Sequence, residues 1–207
     1  MLQTQTVEPR TLSLLRELMA LPILENFNLV GGTALSLLYG HRQSVDLDLF
    51  TSNKLQNDEI LELLATEYGS AFEIRRNANI GIFNYIHNIK VDLVYYPHRI
   101  LFPVQTIDNI RMLDPRDICA MKAQAILGRG KKKDFWDIAE LSQHYTLKEF
   151  IAFHEEKFPN QNLLISIPQA LLFFDDADEG EDPISLKGQT WQSIQHTLQA
   201  WVEVYLR

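Results

Sequence analysis

Cysteine is almost missing from this chain. Cys119 is the only one in 207 residues, which excludes an internal disulfide and any cysteine metal cluster and predicts a reducing, cytoplasmic setting. Long apolar runs are missing as well, since no stretch approaches the ~20 residues a membrane helix needs. The opening MLQTQTVEPRTLSLLREL has no basic start followed by an apolar core and a small-residue cleavage site, so neither export nor a membrane span is expected. Positive charge is in deficit, with 19 Lys and Arg against 27 Asp and Glu and a net charge of −8. That balance argues against a broadly basic nucleic-acid surface. The histidines (His41, His87, His98, His144, His154 and His196) show no metal-ligand spacing and read as structural or surface residues.

What is present is an ordinary globular composition, 46% hydrophobic and 22% charged. The chain is long enough for one substantial core, so residues 1–207 are expected to form a single domain. The expected layout is a mixed α/β half over 1–110 and a helical half over 111–207. Charge is unevenly spread. Asp175, Asp176, Asp178, Glu179, Glu181 and Asp182 form an acidic loop, whereas Arg129, Lys131, Lys132 and Lys133 form a local basic run. Most such runs are solvated loops; as a functional patch this one would hold acceptor phosphates, and the acidic loop would mask it or bind a partner.

Periodicity predicts an opening helix over 9–22, carried by Leu12, Leu15, Leu18 and Met19. FNLVGG then reads as a short buried strand ending at a glycine pair. TALSLLYG follows as a helix that Thr33 caps and Gly40 ends, and SVDLDLF as a half-buried strand. A helix at 57–68 precedes three strands, FEIRRN, IGIFNYIH and IKVDLVYY. Turns at His87-Asn88 and near Asn79 to Gly81 make these antiparallel neighbours. Beyond Pro115 the sequence reads as successive helices.

Strand geometry puts Asp46 and Asp48 on one side of their strand, with Val45, Leu47 and Leu49 on the other. Two like charges that close repel unless they are solvated, protonated or bridged by a cation, and Mg²⁺ is bound by one or two carboxylates plus substrate phosphate oxygens. An aspartate pair on a solvated sheet face is the commoner case. Aspartate is nevertheless depleted in strands, and Asp92 in IKVDLVYY is a third one set among Val91, Leu93 and Val94. Together they make an oxygen-ligand set for metal-assisted phosphoryl transfer. Gly31 and Gly32 at a helix start let backbone N–H groups approach a phosphate, and Thr33 adds a hydroxyl. Lys122, midway between Ile118 and Ile126, sits on a mostly apolar helix stripe, either as a snorkelling lysine or as a phosphate contact. Asp134 and Asp137 share a helix face at i, i+3, where acidic residues also suit a first turn.

In GGTALSLLYGHRQSVDLDLF, IKVDL and MKAQAILGRGKKKDFWDIAEL, the chain resembles nucleotidyltransferases with a DNA polymerase beta-like core, and within them the AbiEii/AbiGii toxin group. ALLFFDDADEGEDP followed by a Trp-containing helix is similar to the end of the family domain, so the resemblance spans about 25–205. It implies an α+β fold, a mixed sheet with helices followed by a C-terminal helical region. It implies Asp46, Asp48 and Asp92 as ligands of a two-metal Mg²⁺ site, with Asp92 helping to activate the acceptor hydroxyl. Gly31, Gly32, Thr33, Arg42, Ser44, Lys122, Asp134 and Asp137 would form the NTP site. The implied activity is transfer of a nucleoside monophosphate to an acceptor hydroxyl on RNA, such as a tRNA end, or on protein. The setting would be toxin–antitoxin or phage defence, with a cognate antitoxin as partner. Two other readings remain open on the residues: a non-catalytic or antitoxin-like binding module with the same fold, and a nucleotide-sugar glycosyltransferase using the Asp-x-Asp. The upstream glycine turn and Asp92 fit the last one poorly.

Overall fold

The computed structural model describes residues 1–128 and 130–207. Helix α1 (Pro9–Ala20) opens with Pro at its first position, where a missing N–H costs nothing, and buries Leu14, Leu15, Leu18 and Met19. Strand β1 (Asn28–Leu29) is only two residues long and leads through Val30 into α2 (Gly31–Tyr39). Then come β2 (Leu47–Thr51), α3 (Asn57–Tyr68), β3 (Phe72–Ala78), β4 (Gly81–Ile86) and β5 (Ile89–Tyr95). Two strands that periodicity does not reveal follow, β6 (Gln105–Ile107) and β7 (Ile110–Met112). The helical region comprises α4 (Pro115–Gly128), α5 (Lys132–Leu141), α6 (Leu147–Lys157), the short α7 (Ile167–Leu171) and α8 (Asp175–Asp178), and α9 (Trp191–Leu206).

The strands form one seven-stranded mixed sheet in the order β3-β4-β5-β2-β1-β7-β6. β3, β4 and β5 are antiparallel neighbours, and His87 and Asn88 both have positive φ, the signature of a two-residue hairpin turn. β2 and β5 run parallel in the middle of the sheet. That central pairing decides the site, because it sets Asp48 directly beside Asp92, with Leu47 beside Val91 and Leu49 beside Leu93. Leu47, Leu49, Val91 and Leu93 are completely or almost completely buried on the core face, each contributing roughly 1.5–3 kcal/mol of burial. These contacts hold the register, since a one-residue slip would turn the leucines outward and the aspartates into the core.

One hydrophobic cluster extends from Leu2 in the N-terminal segment to Val202 on α9. Thr190 and Ser193 cap α9 reciprocally, and Ile194, Leu198 and Val202 pack inward at intervals of four. Trp191 meets Phe135, Phe174 and Trp136, tying α9 to α5.

Several local expectations are corrected. Thr33 does not cap α2: Val30 is the N-cap residue, and Thr33 lies inside the first turn. Asp46 stands just before β2 rather than within it, and Val45 is exposed instead of sharing the core face of Leu47 and Leu49. The acidic segment is not a loop throughout, because Asp175–Asp178 form α8 and Asp182 pairs with Lys132 at 2.7 Å. Nor is the basic run a solvated loop: Lys132 begins α5 and is buried, 5.4 Å from the Trp191 ring. Arg129 lies outside the described residues.

Candidate active site

The glycine turn is tied to the aspartate strand by the backbone. Val30 N–H donates to the Asp48 carbonyl at 2.9 Å, which brings the start of α2 over the Asp48 side chain. Gly31 has φ +69°, and a Cβ there would lie 3.1 Å from Asp48 Oδ2. A side chain at Gly32 would overlap the Arg42 guanidinium. Both positions therefore need glycine, the first for its left-handed backbone and the second for space.

Thr33 is buried, and its hydroxyl hydrogen-bonds to Ser44 Oγ at 2.8 Å and donates to the Asp46 carbonyl. It holds the loop that delivers Asp46. Behind that loop lies a buried charge cluster. Asp137, with no exposed surface, accepts from Arg42 Nε at 2.7 Å and Nη2 at 3.0 Å and from His41 Nε2 at 2.8 Å, and meets Lys122 Nζ at 2.6 Å. Lys122 also donates to Asp134 at 2.7 Å. Burial alone would raise the pKa of Asp137, but Arg42 and Lys122 beside it, with the hydrogen bond from His41, hold it well below the usual carboxylate range. Burial pulls Lys122 down; Asp137 and Asp134 more than compensate and raise it, so it stays an ammonium group. Two of its three N–H donors are committed to these carboxylates.

The cleft over these elements has a volume of about 690 Å³. Gly31, Gly32, Arg42, Ser44, Asp46, Asp48, Asp92, Lys122 and Asp134 line it, whereas Thr33 and Asp137 do not. Those two act from behind, through the hydrogen bonds just described. Further cationic residues line it, among them Lys90, which the motif reading did not single out, and Lys133 of the basic run. Lys90 Nζ lies 2.7 Å from Asp92 Oδ2, and Lys133 Nζ lies 3.2 Å from Asp46 Oδ2. Lys90 stands two residues before Asp92 on β5, so strand period was the signal that could have found it. Burial lowers its pKa, but Asp92 and Asp48 raise it above the usual lysine value. The pKa of Asp48 also rises, which for a carboxylate disfavours the charged form: burial raises it, and the neighbouring Asp92 and Asp46 add to the rise against the pull of Lys90.

Among the described residues, no three His, Cys, Asp or Glu side chains are gathered as a ready-made metal cage. The donor set still fits Mg²⁺, which takes one or two carboxylates and completes its shell with water and phosphate oxygens. Asp92 Oδ1 is buried without a hydrogen-bond partner, an acceptor that a cation would satisfy. No helix of the described residues is long and apolar enough to cross a membrane.

Comparison with known proteins identifies the family. Residues 13–199 match the family described as "Nucleotidyl transferase AbiEii toxin, Type IV TA system". An uncharacterized protein of Aquifex aeolicus (strain VF5), aq_aa25, is 30% identical over 197 residues, 93% of this chain and 94% of its own. Among solved structures, MenT4, a nucleotidyltransferase toxin from Mycobacterium tuberculosis H37Rv, superposes with a TM-score of 0.52 at 14% identity, over 92% of this chain and 83% of its own. JHP933 from Helicobacter pylori gives 0.51 at 14% identity, over 96% of this chain and 94% of its own. Identities that low speak to the shared fold alone, but the family match runs through both the aspartate strands and the buried lysine cluster: the chain belongs to the AbiEii family of nucleotidyltransferase toxins.

Proposed function

We propose that the protein transfers a nucleoside monophosphate from an NTP to an acceptor hydroxyl in a Mg²⁺-dependent reaction in the cytoplasm. The acceptor is RNA, such as a tRNA end, or a protein, and a cognate antitoxin restrains the enzyme. The observation that carries this reading is the pairing of Asp48 with Asp92 in register on parallel strands beneath the Gly31-Gly32 turn, with Asp92 Oδ1 unsatisfied.

The roles follow from charge and position. Backbone N–H groups at the start of α2, with the positive end of that helix, receive phosphate oxygens. Lys122 adds a fixed positive charge that Asp134 and Asp137 keep in place. Asp46, Asp48 and Asp92 would hold the cation, which when bound polarises the phosphoryl oxygens and neutralises charge as it develops. The acceptor oxygen forms a bond to the α-phosphorus while the bond to pyrophosphate breaks, and Asp92 takes the hydroxyl proton. The raised pKa of Asp48 reflects a carboxylate charge that burial, with Asp92 and Asp46 beside it, leaves poorly compensated, and a bound cation would relieve that.

The test is incubation with Mg²⁺, each α-labelled NTP, and total RNA or protein extract, comparing wild type with Asp48→Asn and Asp92→Asn. Each substitution is expected to lower transfer by about 10²-fold or more with folding retained, and chelation of the metal to abolish it. Label transfer that survives chelation or either substitution would overturn the proposal, and NTP binding without transfer to any acceptor would point to the non-catalytic module.

A further inference from the structure

The cleft face of the sheet continues past the aspartates to an open edge. Residues directly opposite on neighbouring strands project from the same face. The register Asp48–Asp92, Asp92–Phe83 and Phe83–Arg76 therefore lays four side chains in one row across β2, β5, β4 and β3. The next row holds Lys90, Tyr85 and Glu73. Arg75 has no opposite number: the register shifts between Ile74 and Arg76, which makes it the extra residue of a bulge, and bulges at sheet edges re-aim side chains. Its side chain lines the cleft together with Phe83, Tyr85 and Lys90.

Cations and rings are interleaved on this face. The Arg75 guanidinium lies 5.1 Å from the centre of the Tyr85 ring, and that of Arg76 lies 6.0 Å from the centre of the Phe83 ring. Both arginines are exposed, and both rings are half-buried. Among the described residues neither arginine forms an ion pair. Glu73 is the one carboxylate that β3 and β4 carry, so this wall of the cleft is net positive in a chain of net charge −8. An exposed cation–π contact is weak. Each guanidinium is thus free to turn to a phosphate and leave the ring to a base, or to stay and stack on the base itself.

Sheet order decides which substrate this face serves. The glycine turn leads out of β1 on one side of β2, whereas β4 and β3 lie on the other side, beyond β5. In-line displacement puts the attacking and leaving oxygens on opposite sides of phosphorus, so a triphosphate held at the glycine turn leaves the β3–β5 side to the acceptor. We infer that this face is the acceptor platform and that the acceptor is the single-stranded end of an RNA, with bases stacked on Phe83 and Tyr85, phosphates at Arg75 and Arg76, and the terminal hydroxyl beside Asp92. Aromatic rings on a sheet face are how single-stranded RNA readers stack two or three bases, and a duplex, whose bases are already stacked, gains nothing from them. A peptide would pair with the open backbone edge of β3; the rings and arginines stand on the face instead. The assignment rests on the transferase reading of the same cleft.

Fluorescence anisotropy of the full chain with an end-labelled, unstructured RNA of about ten nucleotides tests it without NTP. The single strand is expected to bind about ten-fold or more tightly than a blunt duplex of the same sequence, the worth of one or two stacked bases. The double variant Arg75→Ala/Arg76→Ala changes two exposed positions, so a thermal melt should show it folded. It should bind more weakly and lower the slope of log affinity against log salt by about 1.4, the share of two phosphate contacts on a single strand. Tyr85→Leu should weaken binding about five-fold or more and leave that slope unchanged, whereas Tyr85→Phe, which keeps the ring, should bind like wild type. If Tyr85→Leu does not fold, the arginine variant decides the matter. Equal affinity for duplex and single strand, or an unchanged salt slope in the arginine variant, would overturn the inference. Loss of NTP affinity in that variant would overturn it too, by assigning the face to the nucleotide. Single-strand binding on this face without label transfer in the earlier assay would keep the platform while overturning the catalytic reading; transfer to protein without RNA binding would do the reverse.

Discussion

Replacing Asp137 by asparagine keeps the shape of the buried cluster and removes its central charge. Arg42, Lys122 and His41 all converge on that carboxylate, whose side chain is 0% exposed; those of Arg42 and Lys122 are 5% and 9% exposed. Asp134 can still neutralise part of Lys122, but Arg42 loses its charged partner in an almost fully buried site. Breaking a buried pair by removing one member costs about 3–5 kcal/mol. At about 2–4 °C per kcal/mol for a chain of this size, the loss is ~6–20 °C in Tm. Thermal and urea melts at pH 7 measure it, with Glu203→Gln as a control, because the Glu203–Arg207 pair is 67% and 74% exposed and an exposed pair is worth about 0–1 kcal/mol. The pH dependence supplies a second check. The folded pKa of Asp137 lies below the ordinary 3.8, so its contribution is fully present above that value and is lost as pH falls through the folded one. The gap between wild type and Asp137→Asn should thus be constant near neutrality and shrink below pH 3.8. A variant as stable as wild type at pH 7, or a gap that persists unchanged into acid, would refute the view that this cluster is held by charge.

Other outcomes follow from neighbouring residues. Asp48→Asn should lower transfer by about 10²-fold or more yet stabilise the nucleotide-free protein, by on the order of 1 kcal/mol. Since the folded pKa of Asp48 lies above 3.8, its ionised form opposes folding, and the gain should be complete above the folded pKa and vanish below the unfolded one; a destabilised variant in a pH 7 melt would contradict this. Gly32→Ala places a Cβ on the Arg42 guanidinium and should cost about 1–3 kcal/mol in urea unfolding, together with a loss of NTP affinity. Lys133→Ala removes a 3.2 Å contact to Asp46 whose partners are 44% and 25% exposed; stability should change by under about 1 kcal/mol, whereas KM for NTP should rise and become less sensitive to salt.

The α+β class and most elements were legible because apolar period and punctuation agree. Pro9 opens α1, the His87-Asn88 pair turns β4 into β5, and Ile194, Leu198 and Val202 mark the buried face of α9. Strands β6 and β7 escaped because three residues are too few for a period, although their Asp108-Asn109 turn, with both φ values positive, is a local signal of the same kind as His87-Asn88. Thr33 was misplaced for a related reason: a hydroxyl near a helix start suits a cap, and only the position of Asp46 and Ser44 shows that it binds sideways to a loop.

Residue type and spacing along single strands and helices thus determined which groups are candidates to carry chemistry: the glycine pair, Asp48 of β2 with Asp46 just before it, Asp92 of β5, and the lysine of α4. Which of these face one another was decided only by tertiary structure. The parallel pairing of β2 with β5 joins Asp48 to Asp92 across more than forty residues of chain, and Asp137 reaches Arg42 from 95 positions away. Local sequence sets helix, strand and face through backbone sterics and side-chain period, but a charge is neutralised, or a donor aimed, by whatever the closed core brings within a few ångströms. That is a property of packing, and no single segment contains it.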